Sequence, residues 1–253
     1  MDLKLSGKKI IIAGASRGIG LAVAKAFAAE GSDVAICARG EDTLQSALKE
    51  ISDGDARVIG HSGDIADADA YTAWVKQAAE ELGGCDVFIP MASAGGGPAN
   101  EASWKAAYEV DLMSVFRGVD AVTPYLENAS AGAIVCVATT AALEEFAGVQ
   151  AYNAMKAAVI AHASALAQGF APKGVRVNTV SPGPVYIEGG SWNFVKDNIK
   201  PFYDATLASI PMGRFGTAEE VANAILFAAS EAVPFMTGAN IVVDGGITKR
   251  IQY

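Results

Sequence analysis

The sequence predicts a doubly wound α/β fold, on three observations. Seven short runs rich in Val and Ile recur along the chain, most of them bounded by Gly, Pro or Asp. Longer amphipathic stretches separate them in a β-α-β-α alternation, the order that a parallel sheet with right-handed crossovers requires. The runs are close to continuously apolar, as strands covered on both faces are.

In chain order, strands are expected at 9–13, 33–38, 57–61, 86–91, 133–138, 175–180 and 239–243. Helices are expected at 21–30, 41–51, 69–82, 103–126, 151–170 and 218–229. The stretch 181–211 breaks the pattern, with Gly, Pro and several aromatics after a strand end; a substrate loop or lid over about 184–211 fits that position. No composition shift marks a linker, so 1–253 reads as a single domain. With 51% hydrophobic and 19% charged residues it can bury a substantial core.

The net charge of -9 argues against a nucleic-acid binder and against electrostatic docking on anionic membranes or acidic carrier proteins. The odd set Cys37, Cys85 and Cys136 suits neither a disulfide framework nor a zinc site, and two histidines, His61 and His162, make a metal site a poor reading. With no secretory leader and no long apolar run, the expected location is the cytoplasm.

The first strand runs into Ala13-Gly14-Ala15-Ser16-Arg17-Gly18-Ile19-Gly20 and then a helix. Glycines there permit a tight turn and close approach of backbone to a pyrophosphate, with helix-start amides facing the anion. The spacing is G-x-x-x-G-x-G, which alone also fits a plain strand-to-helix turn. At the end of the second strand, where an NAD enzyme would carry a ribose-binding carboxylate, Ala38 is followed by Arg39. Arg39, with Arg17, can pair with a 2′-phosphate, so NADP(H) is expected ahead of NAD(H); the alternative is a solvated loop arginine. Asp64 and Ile65 follow the third strand, Asp64 as an acceptor for the adenine amine or as a helix cap.

Tyr152 and Lys156 are four residues apart on an expected helix, hence on one face. A phenol of pKa ~10 needs about 4 kcal/mol to reach ~7, at about 1.36 kcal/mol per unit. One ammonium at ~4 Å in an effective dielectric of ~20 supplies a term of that size. The pair can thus serve general acid/base chemistry, although Y-x-x-x-K also arises by accident on exposed helices.

Taken together, Gly14-x-x-x-Gly18-x-Gly20, Asp64, Ala92-Ser93-Ala94-Gly95, Tyr152-x-x-x-Lys156, Val177-Asn178-Thr179-Val180-Ser181-Pro182-Gly183 and Val243-Asp244-Gly245-Gly246 resemble the short-chain dehydrogenase/reductase family. Ketoacyl-carrier-protein reductases and small carbonyl reductases are nearest in pattern. The resemblance implies a Rossmann-type domain with a seven-stranded parallel sheet, helices on both faces, and a homotetramer. It implies proton transfer by Tyr152 and cofactor-ribose binding by Lys156. Pro182, Gly183 and the Val185 backbone would flank the nicotinamide, where Ile187 replaces a usual threonine.

Two departures bear on the chemistry. Thirteen residues before Tyr152 stands Thr139 where the family has serine; it retains the hydroxyl, and Thr140 is the fallback if the register slips. Asp111 replaces the asparagine of a V-N-L segment, bringing a negative charge towards Lys156 that favours the ammonium and opposes tyrosinate. The expected function is NADPH-dependent reduction of a ketone, or the reverse oxidation, on a small to medium apolar or aromatic substrate. Tyr186, Trp192, Phe194, Phe202 and Tyr203 would line the lid or pack it onto the body. Leu143, Glu144, Glu145 and Phe146 would border the site, the carboxylates disfavouring anionic substrates if they point inward. The alternatives are a 3-oxoacyl-carrier-protein reductase and a dinucleotide-binding protein with little chemistry.

Overall fold

A computed structural model describes residues 1–52 and 56–251. One seven-stranded parallel sheet runs in the order β3-β2-β1-β4-β5-β6-β7. The strands are β1 (Lys9–Ala13), β2 (Asp33–Ala38), β3 (Val58–Ser62), β4 (Val87–Pro90), β5 (Ala133–Val137), β6 (Arg176–Pro182) and β7 (Asn240–Val243). The helices are α1 (Gly18–Ala29), α2 (Glu41–Ile51), α3 (Ala68–Leu82), α4 (Glu101–Ala107), α5 (Ser114–Asn128), α6 (Ala151–Phe170), α7 (Ser191–Asn198), α8 (Lys200–Ser209) and α9 (Ala218–Ala229).

Side-chain alternation along each strand divides the core into two layers. Ile10, Ile12, Val34, Ile36 and Ile89 face α1, α2 and α9. Ile11, Ala35, Phe88 and Ile134 face α3, α5 and α6. Strand order reverses between β1 and β4, and in open α/β sheets the crevice beyond the carboxyl ends at such a point receives ligands.

Three differences from the sequence reading have physical causes. The helix expected at 103–126 is interrupted: Tyr108–Met113 is π-helical and joins α4 to α5, a local insertion that apolar periodicity does not reveal. β6 extends to Pro182 because β7 continues alongside it, Pro182 lying opposite Val243. The segment expected to be irregular contains α7 and α8, the latter with Pro201 in its first turn, where a missing N–H costs nothing. The cysteines are buried and unbridged, and burial pushes the Cys37 and Cys136 thiols up to about 12. No helix among the described residues is long and apolar enough to cross a membrane.

Candidate active site

Gly14 closes β1 at φ +95°, and a Cβ on it would lie 2.7 Å from the Ala92 Cα beyond β4. A Cβ on Gly20 would lie 2.1 Å from the Gly14 carbonyl oxygen. Both positions therefore admit no side chain. Ser16, Arg17, Gly18 and Ile19 complete the turn into α1. The N-cap residue Arg17 is extended and its side chain makes no cap, and the first turn has no acidic residue. The opening amides of α1 are thus left to a ligand or solvent, with the helix dipole favouring an anion. α3 and α9, in contrast, are capped by Asp67 and Thr217.

Arg17 and Arg39 are exposed at the adjoining ends of β1 and β2. Asp64 is exposed after β3 and accepts a hydrogen bond from the Ala66 amide, whereas the cap of α3 is Asp67; the capping reading of Asp64 is therefore corrected. Ile65 is buried in the adjoining core. Across the switch point, Ala92 is buried and Ser93, Ala94 and Gly95 are exposed. The Ser93 hydroxyl accepts from the Gly95 amide. Pro182 and Gly183 end β6. Pro184 and Tyr186 bond Gly216 on either side of Val185, which turns the peptide groups of Val185 to the opposite edge. Ile187 lays its Cδ1 against Gly18, an apolar contact where the family carries a hydroxyl.

α6 brings Tyr152 and Lys156 to one face, the ammonium 5.9 Å from the phenol ring centre. Lys156 is 2% exposed. Its ammonium donates to the Val137 carbonyl at 3.1 Å and the Ala92 carbonyl at 3.5 Å, and lies 3.4 Å from Asp111 Oδ1. Burial lowers the Lys156 pKa, and the Asp111 carboxylate opposes that shift through its charge and a hydrogen bond. Asp111, fully buried on the π-helical segment, accepts from the Ala94 amide at 3.1 Å through Oδ2. The carboxylate thereby ties the loop after β4 to the lysine.

The lowering of the Tyr152 phenol expected from Lys156 is corrected: burial pushes the phenol up to about 12, the Thr139 hydroxyl pulls it down and Asp111 adds to the rise, while the ammonium, 5.9 Å from the ring centre, is engaged by the Val137 and Ala92 carbonyls and Asp111. Thr139, half-buried just past β5, is the hydroxyl that lowers the phenol's pKa, and Thr140 is buried beside it. The backbone acceptors on Lys156 and the π-helical placement of Asp111 carried no side-chain signature in the sequence.

The neighbourhood bears on two further expectations. Glu144 accepts from the amides of Lys249 and Arg250, and Glu145 from that of Gly148, so both carboxylates are engaged with backbone. Of the lid aromatics, Tyr186, Trp192, Phe202 and Tyr203 pack on one another and on Phe146 and Phe215, while Phe194 is exposed. Packing the lid onto the body is what these contacts do. His61 pairs with Glu81 and His162 lies against Phe116, and no cluster of metal-ligating side chains occurs among the described residues.

The family model described as enoyl-(acyl carrier protein) reductase matches residues 14–248. Isoepoxydon dehydrogenase patN of Penicillium expansum is 34% identical over 255 residues, covering 98% of this chain and 98% of that protein. The 3-oxoacyl-[acyl-carrier-protein] reductase FabG of Chlamydia pneumoniae is 34% identical over 258 residues, covering 98% of this chain and 100% of that protein. Among solved structures, L-sorbose reductase from Gluconobacter frateurii, complexed with NADPH and L-sorbose, superimposes with a TM-score of 0.89 at 29% identity, covering 99% of this chain and 100% of that one. With the glycine turn at the switch point and the tyrosine–lysine pair on α6, these matches make the chain a member of the short-chain dehydrogenase/reductase family of oxidoreductases.

Proposed function

We propose that the chain is an NADPH-dependent reductase of ketones, or the reverse alcohol dehydrogenase, acting on small to medium apolar or aromatic substrates. The observation that carries the reading is the convergence of Tyr152, Lys156 and Thr139 beside the Gly14–Ala92 contact. A dinucleotide fits there. The uncapped start of α1 suits a pyrophosphate, Gly14 and Gly20 let the turn pack against Ala92 and upon itself so that α1 begins at the end of β1, and Arg17 and Arg39 are exposed where a 2′-phosphate would lie. Asp64 and Ile65 would border the adenine. Ala92, Ser93, Ala94, Gly95, Pro182, Gly183 and Val185 would enclose the nicotinamide ribose and ring. The bound cofactor would supply the hydride. The NADPH bound to the L-sorbose reductase and the reductase name of the FabG relative are consistent with this choice.

In this reading Thr139 and Tyr152 hydrogen-bond the substrate carbonyl oxygen, and the phenol donates its proton as charge develops there. Lys156 supplies a fixed positive charge beside the phenol and a donor for the ribose. Asp111 keeps that lysine protonated and holds the loop after β4. Residues 184–211 act as a lid that excludes water. The chain works as one dinucleotide-binding domain, in the cytoplasm, as a homotetramer, without nucleic-acid or membrane partners; light scattering at the mass of a single chain would remove the tetramer.

A second reading, reduction of a carrier-bound 3-oxoacyl group, draws support from the FabG relative. The net charge of -9 opposes docking of an acidic carrier. The deciding experiment follows NADPH absorbance with ketones, β-keto esters and a carrier-bound β-keto thioester. Turnover of free ketones is expected, and Tyr152→Phe should lower it about 10²- to 10⁴-fold while NADPH still binds. NADPH binding with no turnover of any substrate would leave only the dinucleotide-binding function.

A further inference from the structure

The segment that follows β7 touches three walls of the candidate cleft in succession. Where it leaves the sheet, Val243 accepts from the amide of Gly183, beyond β6. Gly245 then accepts from the amide of Met212, at the exit of the lid. At 249 and 250 it reaches Glu144, whose Oε1 accepts both amides, at 2.9 and 2.8 Å. The Arg250 guanidinium adds a bond to the Leu143 carbonyl at 3.4 Å. Between these attachments the segment is braced by Asp244, which accepts from the amides of Gly246 and Thr248 and from the Thr248 hydroxyl.

Glu144 is coupled to the reacting end of the site. Its amide donates to the Thr140 carbonyl at 3.1 Å, and the Ala142 amide donates to the Thr139 carbonyl, so Thr139 to Glu144 form one hydrogen-bonded turn. A pull on Glu144 is therefore a pull on the turn that carries the Thr139 hydroxyl. One carboxylate oxygen receiving two successive amides is a charge-assisted contact, stronger than bonds between neutral groups.

We propose that residues 244–250 are a strap that fixes the spacing between the lid exit and the Thr139 turn, with Glu144 as its positioning residue. The strap rests on the reductase reading for its consequence, since that spacing sets how a carbonyl substrate is seated. It is assigned no part at the dinucleotide end of the cleft, because the hydrogen bonds of Glu144 run to Thr140 and to the amides of Lys249 and Arg250 and not to the glycine turn or the loop after β4. Glu144 acts through Thr139 and through the strap backbone. It is not a catalytic residue.

The test compares Glu144→Ala with Glu144→Gln, whose amide oxygen still accepts both N–H groups. Hydrogen–deuterium exchange is read over 139–145, 207–213 and 244–251, alongside steady-state kinetics with ethyl acetoacetate and acetophenone and NADPH affinity by fluorescence. In Glu144→Ala all three peptides should lose protection together, and ketone KM should rise about tenfold, with kcat and NADPH affinity within about twofold of the parent. Glu144→Gln, which keeps both bonds without the charge, should restore most of the protection and most of the KM. Unchanged exchange in Glu144→Ala, deprotection confined to 244–251, or a fall in kcat with KM unmoved would overturn the strap. If the parent binds NADPH but reduces neither ketone, the ketone-reductase reading fails separately. The strap is then decided by exchange alone: joint loss of protection in the three peptides supports it, and loss in the last only refutes it.

Discussion

The carboxylate at 111 is the residue whose replacement says most about the chemistry. It lies 3.4 Å from the Lys156 ammonium and adds to the rise of the Tyr152 phenol, after burial. A phenol held near 12 is protonated at neutral pH, the form that donates to a carbonyl oxygen; oxidation of an alcohol needs the phenolate and should strengthen as pH rises. If Lys156 stays protonated, Asp111→Asn removes a charge that opposes phenolate, so the apparent pKa of the oxidation limb should fall by about one unit, near 1.4 kcal/mol. A pH–rate profile identical to that of the parent would show that the Asp111 charge does not bear on the Tyr152 proton. Tyr152 and Lys156 were legible in the sequence because residues four apart on one helix share a face; the hydroxyl at 139 was implied only by the family resemblance. The lysine's partners were not, since the carbonyls of Ala92 and Val137 belong to backbone and come together only through the sheet.

At the scale of elements, α9 shows how polar groups secure the packing. Its start carries a reciprocal cap between Thr217 and Glu220, and Arg214 pairs with Glu220 at 2.8 Å. The Arg214 guanidinium, followed by the Thr217 amide, holds the Glu220 carboxyl down to about 2, against an ordinary 4.5. This contribution to stability is present above pH 4.5 and is lost as pH falls towards 2. Acid titration of the Arg214→Met unfolding midpoint should show a smaller dependence over that window; Thr217→Ala keeps the amide that bonds Glu220 and should instead cost about 1 kcal/mol at pH 7, with the dependence little changed. At the other end, Arg176 donates to the carbonyls of Ala228, Ala229, Ser230 and Met236. Arg176→Met leaves these acceptors without the guanidinium and should cost about 3 kcal/mol in denaturant unfolding; a change below about 0.5 kcal/mol would mean that water replaces it. α2, α6 and α9 end where apolar periodicity places them. α7 and α8 did not declare themselves, because glycines, a proline and aromatics there mimic loop composition while tertiary contacts to Phe146 and Phe215 decide the helices.

For the whole molecule, two apolar layers separated by the sheet, with the candidate cleft beyond the carboxyl ends of β1 and β4, make binding of the proposed cofactor a stability measurement. NADPH at about 100 times its Kd should stabilise the fold by about 2.7 kcal/mol. NADH at the same concentration should raise Tm less, and Arg39→Ala should narrow the difference; equal shifts in the parent would refute the 2′-phosphate assignment. The parallel sheet and its right-handed crossovers were readable from the alternation of runs; the strand order was not, because the same alternation serves more than one doubly wound order, and the reversal between β1 and β4 is seen only in the structure. The π-helical Tyr108–Met113 obeys a different rule. A π turn carries one residue more than the α pattern around it, and each residue of an α-helix advances about 100°. Remove one amino acid other than Asp111 from that stretch and the wide turn can relax to ordinary pitch, swinging Asp111 away from its ammonium. Catalytic competence here is then a matter of counting as much as of chemistry: a one-codon deletion could silence the enzyme while every named side chain survives.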